Sequence, residues 1–81
     1  MQHKPETKRN IYIIISQNIK KYRRLQKITQ KELAKKCGYS YAYIRRIEGP
    51  NCPKNFSILT ICNICDALNI EVSSIFENND I

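Results

Sequence analysis

The chain has 81 residues, 42% of them hydrophobic, enough for one small core, and a domain near this size buries only about 60% of the surface of its unfolded chain. Mean hydropathy is −0.50, there is neither an apolar run near the roughly 20 residues of a membrane helix nor the apolar core of a secretion signal, and the expected compartment is the cytoplasm. The net charge of +7 is segregated: residues 1–54 hold all 14 Lys and Arg beside Glu6, Glu32 and Glu48, whereas residues 55–81 hold Asp66, Glu71, Glu77 and Asp80 and no base.

Residues 1–9, MQHKPETKR, are polar and contain Pro5; they read as a flexible basic arm. Its Lys4, Lys8 and Arg9 are placed to touch an anionic partner, although a frayed terminus is the plainer reading. Asn10 can cap a first helix, on which Ile15, Ile19 and Tyr22 share one face. The run Ile11–Ile15, IYIII, is too apolar for that face alone and has strand propensity. It either covers the domain's own core or serves a partner. Arg23 and Arg24 follow, and Ile28 closes the loop.

Thr29 can cap a second helix, with Glu32 as the return partner of a capping box. Leu33 and Ala34 form its small apolar face, and Gly38 stops it. Ser40 caps a third helix, from about Tyr41 to Glu48. Ile44, Ile47 and Glu48 share its inner side; Ala42 and Arg46 face outward, flanked by Tyr43 and Arg45. Ser57 looks like the cap of a fourth helix that Asn69 ends, and Val72, Ile75 and Phe76 form a last apolar turn. The organisation expected is an arm (1–9), one all-α domain (10–77) and a short polar tail (78–81).

Helix, glycine turn and helix make a helix-turn-helix, whose second helix lies in the DNA major groove. A basic end that coincides with such a unit is the electrostatic footprint of nucleic-acid binding. An outward arginine can bond O6 and N7 of guanine, and a small alanine can pack on a thymine methyl. Tyr41, Ala42, Arg45 and Arg46 are therefore the expected base contacts, with Arg46 central. Gln30 and Ser40 sit where helix N-termini favour phosphate. Tyr43 either packs beside Ile47 or touches phosphate, and Arg24 lies near the same side.

Thr29, Gln30, Leu33, Ala34, Gly38, Ser40, Ile44, Ile47 and Glu48 fit the pattern T-Q-x-x-L-A-x-x-x-G-x-S-x-x-x-I-x-x-I-E. In this the chain resembles the phage repressor and Cro (XRE-like) family of helix-turn-helix proteins. The likeness extends upstream to Ile19 and downstream to Phe76. The resemblance implies a compact five-helix domain and sequence-specific binding of double-stranded DNA with a two-fold symmetric operator. It implies a small dimeric transcriptional regulator, of repressor or restriction-modification controller type. It also implies phosphate contacts at Lys54 and Asn55, bracing by Gln30, and an ion pair between Arg23 and Glu48. A homodimer is expected through Leu68, Ile70, Val72, Ile75 and Phe76, since relatives pair there and this acidic end should face away from DNA. The chain departs from the pattern after Glu48, where Gly49 comes first and Pro50 second in a longer loop.

Other chemistries have little to work with. Cys62 and Cys65 have the spacing of many zinc sites, but no second ligand pair accompanies them and the only histidine is His3. They fall instead on the helical stripe Ile58, Ile61, Cys62, Cys65, Leu68 and read as core residues. No metal, cofactor or small-molecule effector is expected, and no catalytic constellation is present in the sequence. An adaptor or antitoxin that uses the same fold to hold a protein, with weak DNA binding, is the alternative; the outward arginines argue against it.

Overall fold

The computed structural model describes residues 7–53 and 55–78, with side chains from residue 11 onward. Four helices follow in order, α1 (Thr7–Leu25), α2 (Gln30–Cys37), α3 (Tyr41–Glu48) and α4 (Ile58–Leu68), closed by a 3₁₀ turn at Val72–Phe76. Among the described residues there is no strand. The fifth helix expected from the resemblance is this five-residue turn, whose N-cap Glu71 makes no side-chain capping bond. The first helix starts at Thr7, ahead of Asn10, so residues 7–9 of the expected arm are helical. Of the expected arm, residues 1–6 lie outside the described residues.

The other helices start where a short side chain can accept the first free N–H groups. Thr29 Oγ1 accepts from Glu32 N at 3.0 Å while Glu32 Oε1 accepts from Thr29 N at 2.7 Å. Ser40 and Ser57 accept likewise from Tyr43 N and Thr60 N. Three helices end at a left-handed residue: Lys27 (φ 59°), Gly38 (φ 80°) and Asn69 (φ 56°). In each case the next N–H turns back on the helix, Ile28 to Arg23 O, Tyr39 to Ala34 O and Ile70 to Cys65 O.

Apolar side chains at helical spacing then meet in one core. It comprises Ile15 and Ile19 of α1, Leu33 and Ala34 of α2, and Ile44 and Ile47 of α3. Ile61, Ile64, Cys65 and Leu68 of α4 complete it with Phe56 and Ile75. The Ile11–Ile15 run divides: Ile15 is buried, Ile14 half-buried, and Ile11 and Ile13 are exposed. Tyr12 sets its ring edge-on to Phe56, 5.2 Å between centroids.

Two expectations are corrected here. Leu68 and Ile75 have no exposed surface. They complete the core of the chain itself. Ile58, expected on the buried stripe, is 71% exposed at the start of α4, next to Leu59 at 67%; Cys62 is half-buried.

The C-terminal segment is tied to α1 by polar side chains. Asn18 Nδ2 donates to the carbonyls of Ile75 (2.7 Å) and Glu77 (2.8 Å). Gln26 Nε2 donates to Leu68 O, and the Tyr22 hydroxyl donates to Glu77 Oε1 at 3.3 Å. No described helix is long and apolar enough to cross a membrane.

Candidate nucleic-acid interface

The orientation of α3 follows from what holds its inner side. Ile44 and Ile47 are completely buried. Glu48 is buried with them, at the helix end where a carboxylate is least favoured by the helix dipole. Arg23 offsets this with two charge-assisted bonds, Nε to Oε2 at 2.8 Å and Nη2 to Oε1 at 3.0 Å. The side chains are 11% and 1% exposed. Arg23 Nη1 also donates to Ile28 O at 2.8 Å. Gln30 Nε2 adds a third bond to the carboxylate, on Oε1 at 3.0 Å. Ser16 Oγ donates to the carbonyl of Ile47 at 2.7 Å, satisfying one of the last acceptors of α3. One carboxylate thus joins the end of α1, the start of α2 and the end of α3.

Gly49 follows at once, closely packed: an added Cβ would lie 3.0 Å from the carbonyl oxygen of Arg45, a contact tight enough that the backbone would have to give by a few tenths of an ångström.

With the inner side fixed, the opposite side is determined. Tyr41, Ala42, Arg45 and Arg46 are all exposed. Ala42 and Arg46, one turn apart, form a ridge between two open clefts. The first, of about 530 Å³, is lined by Gly38, Tyr39, Ser40 and Tyr43 beside the ridge. The second, of about 300 Å³, is lined by Arg45, Gly49, Pro50 and Asn51. The Tyr41 ring stands near two cations, Lys31 Nζ at 5.4 Å and the Arg45 guanidinium carbon at 5.6 Å from its centroid, a geometry that attracts each cation to the ring. Tyr43 is half-buried and lies against Tyr39, 5.3 Å between centroids.

The expected phosphate residues are not equivalent. Gln30 is half-buried and its amide nitrogen is engaged by Glu48. Ser40 is exposed, its oxygen already serving as a cap. Arg24 and Asn55 are exposed, one before and one after the helix-turn-helix in sequence. Lys54 lies outside the described residues. Ser16, Lys31, Tyr39 and Asn63 were not anticipated. Lys31 follows Gln30 directly and had a signal in the basic run. Ser16 and Asn63 act across the fold and had none.

Among the described residues no group of His, Cys, Asp and Glu is assembled to hold a metal. The cysteines are free thiols, and burial pushes the Cys65 thiol up to about 11 and raises that of Cys37.

The profile of the helix-turn-helix family HTH_3 matches residues 19–75, which include α2, α3 and all of α4. The chain belongs to this helix-turn-helix family. Its members are DNA-binding transcriptional regulators of the XRE type, not enzymes.

Among solved structures, the restriction-modification controller protein C.AhdI from Aeromonas hydrophila is 25% identical, with a TM-score of 0.73 over 80% of this chain and 96% of that one. The N-terminal DNA-binding domain of SinR from Bacillus subtilis is 29% identical, with a TM-score of 0.72 over 84% and 97%. A hypothetical transcription factor, NHTF from Neisseria, shares the fold at 19% identity, with a TM-score of 0.80 over 98% and 87%. No curated protein matches the chain.

Proposed function

We propose that this helix-turn-helix protein is a sequence-specific, dimeric regulator that reads double-stranded DNA with α3 in the major groove. The observation that carries the reading is the Ala42–Arg46 ridge: two outward residues on a helix whose other side is held by Ile44, Ile47 and the Glu48 bonds. A rigidly seated helix holds its side chains in one register, which base readout requires. Arg46 meets guanine, Ala42 packs beside it, and Tyr41 and Arg45 shape the neighbouring base step. Arg24, Gln30, Ser40, Tyr43, Lys54 and Asn55 serve the backbone. C.AhdI, described as a restriction-modification controller, supports the controller or repressor type.

The dimer forms through the acidic C-terminal end. Val72 (40% exposed) and Phe76 (42%) are open there, with Ile70 half-buried, and Ile58 and Leu59 offer further apolar surface on α4. Two copies present their α3 helices to half-sites one DNA turn, roughly 34 Å, apart. The test is selection of bound DNA from a random library. A two-fold symmetric motif supports the reading, and recovery of unenriched sequence contradicts it.

A further inference from the structure

The cleft on one side of Arg46 has an aromatic wall built in part by a residue of the turn that precedes α3. Tyr39 lies in the turn between Gly38 and Ser40, half-buried, with its ring against Tyr43 of α3. Its hydroxyl oxygen accepts from Nδ2 of Asn63 on α4 at 2.9 Å. Tyr39, Tyr43 and Arg46 line the same cleft of about 530 Å³. A phenol has one proton to give. Asn63 supplies a donor to the Tyr39 oxygen, so the phenolic hydrogen is turned away from Asn63 and can be given to an acceptor. Accepting a hydrogen bond also polarises the hydroxyl and strengthens its donation. Across a major groove read by Arg46, the acceptors beside the groove edge are backbone phosphate oxygens, and tyrosine is among the residues that bond them.

We infer that Tyr39 donates a hydrogen bond to a DNA backbone phosphate beside the base read by Arg46, and that Asn63 is the positioning residue that holds Tyr39 for it. This rests on the proposal that α3 occupies the major groove. The contact fixes register and carries no base preference of its own, and because tyrosine is neutral it releases no extra counterion. It is therefore separable from the lysine and arginine contacts by its salt behaviour.

The experiment uses Tyr39→Phe, which keeps the ring against Tyr43 and removes the hydroxyl, with Asn63→Ala and the double variant, each on selected and random DNA. Tyr39→Phe should weaken both about tenfold, as expected for a hydrogen bond to a charged group, and leave the slope of affinity on salt unchanged. Asn63→Ala should weaken binding in the parent but not further in Tyr39→Phe. Ethylation interference should show one phosphate per half-site that matters to the parent and not to Tyr39→Phe. Binding by Tyr39→Phe equal to the parent, or an Asn63→Ala loss that persists in the Tyr39→Phe background, overturns the inference. A preference for selected DNA that Arg46→Ala leaves undiminished would instead overturn the reading of α3, so the two failures are distinguishable.

Discussion

At the scale of single residues, the most consequential side chain in the domain touches no ligand. Glu48 is buried at the unfavourable end of its helix and accepts from Arg23 twice and from Gln30 once. Forming such a pair adds little net stability, because both ions lose water; breaking it strands a buried charge, which costs about 3–5 kcal/mol. Glu48→Gln should therefore lower the unfolding free energy by about 3 kcal/mol, read from urea denaturation, although the change is isosteric. Stability equal to the parent would mean that the pair is solvated and that α3 is held by its isoleucines alone. This contact was legible in the sequence from the resemblance and from the inward register of Glu48. The Tyr39–Asn63 bond was not: its partners are 24 residues apart, and neither residue has a local reason to seek the other.

At the scale of elements, helix starts were the legible part and helix ends less so. Thr29, Ser40 and Ser57 cap because an oxygen one bond from Cβ reaches the N–H three residues on, a geometry written in adjacent residues. Gly38 and Asn69 were equally plain stops. Lys27 was not, since a lysine in the left-handed region is held there by the bonds of its neighbours rather than by its own preference. The two glycine-type positions make opposite predictions. Gly38→Ala should destabilise by about 1–2 kcal/mol, through backbone strain alone, because nothing lies within 4 Å of an added Cβ. Lys27→Gly should stabilise by up to about 1 kcal/mol, since it removes a strain of the same kind. Thermal melts of both variants check the pair; changes of the same sign would refute the account of the helix ends.

At the scale of the whole molecule, charge and apolar surface divide the domain into two ends. In sequence, all the basic residues lie within positions 1–54, which contain the helix-turn-helix, and the acidic third carries the exposed Val72 and Phe76. Periodicity placed Leu68 and Ile75 on an apolar surface but could not say whether that surface was covered. The chain covers it itself, by folding the 3₁₀ turn back onto α1 through Asn18. Substitution distinguishes the two classes of apolar residue. Phe76→Glu should leave the fold intact and shift sedimentation from dimer to monomer, whereas Ile75→Glu should unfold the chain, because an unpaired carboxylate is costly in a core. A folded, fully dimeric Phe76→Glu would move the interface elsewhere, to the exposed Ile11 and Ile13 at the start of α1.

The central claim is that the outward ridge of α3 reads bases, and it is tested most directly by the affinity of Arg46→Ala for selected and for random DNA, measured side by side at one salt concentration. The account predicts a loss of about 1–3 kcal/mol on selected DNA, a relaxed preference at one position in each half-site, and a much smaller loss on random DNA. An equal loss on both would make Arg46 a phosphate clamp and would contradict the account at its central residue.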